Sequence, residues 1–435
     1  MIDFKNLATV LFVAVVCFFV YVEASFATSP PTPPYTTVWG DSLDGLRAIQ
    51  INDLPYFPRR DLDNYIGQFE RTCEFLDSMQ EHNEDDPNYG GMHEGEGNNL
   101  WRIVETDNTQ EAIRVWCEYA VFFEDPDIYR DNINAAWTYC DNFPAWEESE
   151  PGEMYGLHNS GWGLIAEMAF RGIYDESHRE YGLNCANHLV EYTPDIEPNM
   201  EDNLMPLVAG WAAGTLYEYG IFEDNEEYCD AALHIGLDVK EWIDADPDRL
   251  HANEIWALCG GTAMWGVIRS LGRNDSAETA DWVIERLDEM DVFSGNGRWN
   301  NSWNIWYSHA WLSAWRLVGN DDYCNNVIAI VDSLIAQDSD ADGGIPATAG
   351  NPNNRDESWV SCYTAWMGLR QLFDILPSVD ASVVQLLDPS LERPWPIESP
   401  MRFTFHLINA GGLEQIDVPF HLRGPIEFDT TVTLE

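Results

Sequence analysis

Carboxylic acids, imidazoles, amides and tryptophans recur just before, or within the opening turns of, segments with helical periodicity. Along the chain they are Glu105 and Asp107; His158 and Asn159; Asp202 and Asn203; His251, Asn253 and Glu254; Trp306, Tyr307 and His309; and Asp356, Glu357 and Trp359. Trp101, Trp299 and Trp303 stand in the same inter-helix stretches. One of two paired carboxyl groups can protonate a leaving oxygen while the other activates water or attacks an anomeric carbon, and aromatic faces stack on sugar rings. The set points to carbohydrate chemistry. Glu254, which follows Asn253 at a helix start, and Asp356, beside Arg355 and Trp359, are the leading carboxylates, with Asp202 and Asp107 as further acids. His251, Tyr307 and His309 supply proton-transfer groups, and Trp101, His158, Asn159, Asn253, Trp299, Trp303, Trp306 and Trp359 are expected to contact substrate.

Three alternatives accompany this reading. β-Elimination from a polyuronate would use a neutralising Asn or His with a Tyr or His base, which Asn159, His158, His251, Tyr307 and His309 could provide; Arg102, Arg298 and Arg355 are the loop arginines available for its carboxylates. A non-catalytic glycan-binding protein would keep the aromatic residues without the acids' chemistry. The plainest alternative is structural: asparagines cap helices, and acids at helix starts are favoured by the helix dipole. With 75 acids in the chain, many fall in such places by composition alone. Hydrolysis requires no cofactor. Calcium is the one ion the sequence suggests, because Asp338-x-Asp340-x-Asp342-Gly343 matches the first half of a calcium loop. Its twelfth position is Ala349 rather than Glu, so an ordinary EF-hand is excluded.

The elements that must position these residues form a loose repeat of about 50 residues. Helical periodicity marks twelve segments, near 60–80, 107–123, 127–142, 159–173, 176–192, 203–219, 225–243, 253–271, 275–290, 308–318, 321–336 and 358–374. Every second one is expected to start at a capping residue: Asn108, Asn159, Asn203, Asn253, Ser308 and Ser358, at spacings of 51, 44, 50, 55 and 50. These helices are apolar nearly all round and rich in small residues, as in Ala209-Gly-Trp-Ala-Ala-Gly214, which marks them as buried. The alternate helices carry a single apolar stripe and many acids. Connections leaving the apolar helices are short (Glu124-Asp-Pro126), and those entering them are long (81–106, 337–357). Buried and amphipathic helices alternating in this way predict an all-α fold, an (α/α)6 toroid over 56–385, with the long loops and the candidate residues at one end.

Over roughly 60–375 the pattern resembles the six-hairpin α/α-toroid superfamily, which includes secreted glycoside hydrolases, polysaccharide lyases and terpenoid cyclases. Gln337-Asp-Ser-Asp-Ala-Asp-Gly-Gly344 followed by Ser361-Cys-Tyr-Thr-Ala-Trp366 is similar to one terpenoid-cyclase repeat, but it occurs once and no DxDD motif accompanies it. The resemblance implies the fold. It does not choose among the chemistries, of which a glycoside hydrolase is the expectation and a lyase the runner-up.

Beyond the toroid, Pro394, Pro396 and Pro400 make a linker, and alternating runs at 402–408, 416–422 and 430–434 predict strands of a partial immunoglobulin-like module over 395–435. Such a module would suit contact with cell-envelope components. At the other end, Lys5 and the apolar run 7–22 read as a signal peptide over 1–27, followed by a Pro-rich lead-in over 28–55, so a secreted or cell-surface protein with no membrane attachment after cleavage is expected. Eight cysteines beyond the leader are scattered singly, which favours buried thiols over a zinc site. Formal net charge is −53, with only two lysines in 435 residues, which excludes nucleic acid as a partner and suits a surface adapted to high salt.

Overall fold

The computed structural model describes residue 60, residues 62–97, 99–148, 154–199, 205–246, 254–272, 277–289, 305–318, 322–347 and 355–376, and strand segments at 20–21, 381–388, 404–409, 415–422 and 428–434. In chain order the elements are β1 (Val20–Tyr21), α1 (Leu62–Met79), β2 (Met92–His93), β3 (Val104–Glu105), α2 (Thr106–Phe122), α3 (Arg130–Asn142), α4 (Met154–Ile173), α5 (Arg179–Asn199), α6 (Met205–Phe222) and α7 (Glu226–Ala245). They continue with α8 (Glu254–Gly272), α9 (Ala277–Glu289), α10 (Trp306–Val318), α11 (Asp322–Ile335), β4 (Ile345–Pro346), β5 (Asp356–Glu357) and α12, a helical stretch over 358–375 with a π-helical middle at Thr364–Leu369. Strands β6 (Ala381–Asp388), β7 (Thr404–Asn409), β8 (Gln415–Leu422) and β9 (Phe428–Leu434) follow.

The contacts fall into two units, one of residues 33–46 and 66–372, the other of 1–32, 47–65 and 373–435. In the first, the even-numbered helices make a closed ring: α2 touches α4, α4 touches α6, and the series runs through α8 and α10 to α12, which returns to α2. The odd-numbered helices pack outside it. Composition explains the layering. α6 has apolar or small residues on every side and is buried from Met205 to Leu207 and from Ala209 to Gly220. α7 buries a single stripe, from Tyr228 through Ile235 to Ile243, and leaves its acids in water. Small residues bring ring helices into direct backbone contact: a Cβ on Gly266 would lie 1.6 Å from the Gly210 carbonyl oxygen, so only glycine fits there. Trp162, Trp211, Trp265, Trp306 and Trp366, all at most 4% exposed, converge in the ring. Trp162 and Trp211 centroids are 4.7 Å apart, Trp211 and Trp306 5.0 Å, and Trp162 and Trp366 5.4 Å.

Three of the expected caps lie inside their helices instead of at the start. α2 begins at Thr106 with Glu105 as its cap residue, α4 begins at Met154 and α10 at Trp306, so Asn108, Asn159 and Ser308 lie inside the helices and are buried. Ser358 opens α12, but its hydroxyl donates to the carbonyls of His93 and Glu94 rather than capping its own helix. Asn203 and Asn253 lie outside the described residues. Polar residues five positions into a helix imitate a cap when the preceding loop carries few apolar residues, as Pro151-Gly-Glu153 does.

In the second unit, β8 pairs antiparallel with both β1 and β9, and β6 pairs antiparallel with β7. The strand β6 straddles the expected toroid boundary at 385. Its sequence hides it: register shifts at Val383/Gln385 and Leu386/Asp388 break the alternation that marks a regular strand. The leader reading lies outside the described residues except for β1, and the lead-in over 28–55 lies wholly outside them. Seven of the cysteines, Cys73, Cys117, Cys140, Cys185, Cys229, Cys324 and Cys362, are buried.

Candidate active site

A hairpin and three ring helices place the acids at one end of the ring. β2 and β3 pair antiparallel, Met92 opposite Glu105, which delivers Glu105 to the cap position of α2. One turn further, Asp107 and Glu111 are four residues apart and so share a face of α2. His158 arrives from α4, with its Nε2 3.8 Å from Asp107 Oδ2. One ligand atom each from Asp107, Glu111 and His158 lies within 4.8 Å of the others. That spacing would admit a small cation; carboxyls holding protons in a confined space give the same spacing.

The electrostatics are those of acids crowded together away from water. Burial raises Glu105 to about 7, reinforced by Asp107, Glu94 and Glu148, although its outer side remains accessible to solvent. Burial raises Asp107 to about 6, against the backbone amide of Asn108, which donates to its Oδ1 at 2.8 Å. Glu111, 1% exposed, is pushed well above the usual carboxylate range by burial and then by Asp107. The Tyr363 hydroxyl of α12 steadies the Glu111 anion electrostatically without meeting it in hydrogen-bond geometry. His158 is held down to about 4 by burial and is a neutral imidazole at ordinary pH. Aromatic rings close the inner side: Tyr363 stacks on Trp162 at 5.4 Å and 5°, and Trp359 meets Tyr363 edge-on at 5.5 Å. Trp359 donates from Nε1 to Glu357 Oε2 at 2.7 Å, and burial raises Glu357 to about 7.

Asp356 belongs to a different cluster. It is fully buried, burial and then Asp342, Asp340, Glu96 and Asp338 raise it to about 8, and neither Glu105 nor Asp107 is among the acids that bear on it. Glu96 is itself raised by burial and by Asp342 and Asp340. Asp338, Asp340 and Asp342 each offer an oxygen within 4.8 Å of the others.

Of the other candidates, Trp101 is exposed and stacks on His93 at 4.1 Å, with Arg102 exposed beside it. Trp306, Tyr307 and His309 lie inside the ring. They are at most 3% exposed; Trp306 packs on Trp211, Tyr307 on Trp311 at 5.8 Å, and His309 on Trp366 at 4.6 Å. Asn159 is 3% exposed and its Oδ1 meets no hydrogen-bond donor among the described residues. Arg355 is exposed and lies against the turn at Gly97. Glu254 is the first residue of α8. Asp202, His251, Asn253, Arg298, Trp299 and Trp303 lie outside the described residues.

Sequence reasoning passes over Glu111, Glu94, Glu148, Tyr363 and Tyr155, whose hydroxyl is pushed up by burial and then by Asp107 and Glu105. Glu111 had a signal: it lies one helical turn after Asp107. Tyr155 and Tyr363 had none, because only folding brings α4 and α12 against α2.

No family model matches the chain, and no curated protein matches its sequence. Among solved structures, a selenomethionine derivative of a GH76 α-mannanase from Bacteroides thetaiotaomicron is similar in fold, with a TM-score of 0.51 at 11% identity, covering 71% of this chain and 95% of that one. The likeness establishes the all-α toroid.

Proposed function

We propose that this protein is a glycoside hydrolase whose acid–base pair is Glu105 and Asp107. The observation that carries the reading is two neighbouring carboxyls at the start of a ring helix, raised to about 7 and about 6, one of them open to solvent. Between these values the pair holds one proton and one negative charge. Glycosidic cleavage needs that state: one carboxyl donates a proton to the leaving oxygen while the other, as carboxylate, activates water or attacks the anomeric carbon. Glu105, accessible and the higher of the two, is the proton donor; Asp107, deeper and held by the Asn108 amide, is the carboxylate. Glu111 lies behind them on the same face of α2, and Glu94 and Glu148 support the raised values. Trp359 and Trp101 are the exposed or half-buried rings available to sugar.

The fold likeness supports a carbohydrate-active reading and makes α-mannan the first substrate to try. Export rests on the leader over 1–27, and contact with envelope components rests on the strands after 380. The test is a glycan panel, α-mannan included, assayed for new reducing ends and for the absorbance of unsaturated uronates, with and without chelator. Reducing ends without that absorbance, lost in Asp107→Asn, support hydrolysis. Unsaturated products would make the protein a lyase, and binding without turnover would make it a glycan-binding protein.

A further inference from the structure

The loop between α11 and β4 carries acids at the first, third and fifth positions of a calcium-loop pattern, Asp338, Asp340 and Asp342, with Gly343 at the sixth and the Gly344 carbonyl at the seventh. The backbone has the matching shape. Gly343 adopts a φ of +99°, and its amide donates to Asp338 Oδ2 at 3.2 Å, while the Ala341 amide donates to Asp338 Oδ1 at 2.8 Å. Three surface acids in a turn prove little. What the pattern lacks is the carboxylate at its twelfth position, occupied in sequence by Ala349.

Tertiary structure brings another acid to the loop. β4 and β5 pair antiparallel, with Pro346 opposite Asp356. The Asp356 side chain lies directly on the loop's seventh residue: a Cβ built on Gly344 would come within 2.6 Å of its Cβ and 3.0 Å of its carboxyl carbon. The carboxylates that bear most strongly on Asp356 are Asp342 and Asp340. Asp356 is 0% exposed, and neither of its oxygens has a hydrogen-bond partner among the described residues. A buried carboxyl with both oxygens unmet is costly unless a proton or a cation satisfies it.

We propose that Asp338, Asp340 and Asp342, whose oxygens lie within 4.8 Å of one another, bind one Ca2+, and that Asp356, outside that triad, moves in from its distant strand to supply the ligand that the loop lacks. A hard cation taking six or more oxygens at flexible angles suits this all-oxygen set. The ion would also brace the hydrolytic end of the ring. The Asp356 carbonyl accepts from the Glu96 amide at 2.9 Å, and Glu96 belongs to the β2–β3 hairpin that ends in Glu105. The site is independent of the proposed hydrolytic chemistry and stands whether or not the protein cleaves glycans.

The test is calorimetric titration of CaCl2 into the chelator-treated full chain, at high salt to screen diffuse binding by the acidic surface, with the thermal midpoint followed in parallel. One saturable site per chain and a raised midpoint are expected. Asp356→Asn and Asp340→Asn should each weaken binding at least tenfold, while Asp107→Asn leaves it unchanged. Should Asp356→Asn fail to fold, the exposed Asp340 and the unsubstituted chain still decide. Absence of saturable binding at millimolar calcium, undiminished affinity in Asp356→Asn or Asp340→Asn, or an equal response to Mg2+ would overturn the assignment.

Discussion

At the N-terminal ends of the ring helices Glu105, Asp107 and Glu111 have no arginine paired with them among the described residues. Towards the C-terminal ends, Glu118, Glu167, Glu218 and Glu223 are each met by one or two. Glu118 lies between Arg114 and Arg370, with Arg370 Nε at 3.0 Å, all at most 2% exposed. Arg171 reaches Glu167 at 2.8 Å and also Glu223, which Arg179 joins at 2.6 Å; Arg269 meets Glu218 at 2.5 Å. The same side-chain type is therefore a proton reservoir at one end and a cross-link at the other. Glu223 is held below the usual range by Arg179 and Arg171, which outweigh its burial. Glu167 shows how much a partner must overcome, since burial still carries it to about 7 against Arg171. Burial alone does not distinguish function from structure; a buried acid's partner does.

Substitutions at the two ends should separate along this line. Asp107→Asn should reduce turnover by about 10²–10⁴-fold, as loss of an acid–base group does, and leave the urea midpoint nearly unchanged. A variant that unfolds instead would make Asp107 structural. At the other end Glu118→Gln should destabilise the fold by about 3–5 kcal/mol, because it strands two buried guanidinium groups, with activity per folded molecule largely retained. Equilibrium urea denaturation beside specific activity reads both quantities, and a stable, inactive Glu118→Gln would erase the contrast.

Smaller effects concern protons. Turnover should peak between about pH 6 and 7, where the Glu105–Asp107 pair holds a single proton. It should fall about tenfold per pH unit on either side, in acid because both carboxyls are protonated and in base because neither is. A profile flat from pH 5 to 8 (about three units of the pair's range) would remove the pair from the mechanism. Stability gives the smallest effect, with opposite signs at the two ends. Raised acids such as Glu111 stabilise the fold only at low pH, and that contribution is lost as pH rises from the ordinary carboxylate range through their folded values. The lowered Glu223 contributes above the ordinary range and loses its contribution as pH falls. Glu111→Gln should therefore raise the melting temperature at pH 8, by about 1–3 °C, and the gain should vanish near pH 4. An unchanged or lowered midpoint at pH 8 would show that the Glu111 carboxylate is satisfied.

The amino-acid sequence determined the layering of this protein, because burial requires apolar surface and the helical period displays it. The twelve segments, their alternation and the short and long connections are all written in local pattern. It also grouped Asp107, His158 and Trp359 at one end of the ring. Helix starts were less legible, since Asn159 five residues into α4 has the same neighbours a cap would have. The strand β6 was hidden by its irregular register, and Glu111 by the conventional nature of an acid in a helix. Tertiary structure decided what the acids meet beyond their own segment. Asp356 and Asp107 follow equally plausible motifs, yet strand pairing delivers the first to a loop of aspartates and ring closure brings His158 and Tyr363 to the second. It also decided that Trp306 and His309 pack in the aromatic centre of the ring. An acid's chemistry depends on burial and on charges within a few ångströms, and residues distant in the chain supply both.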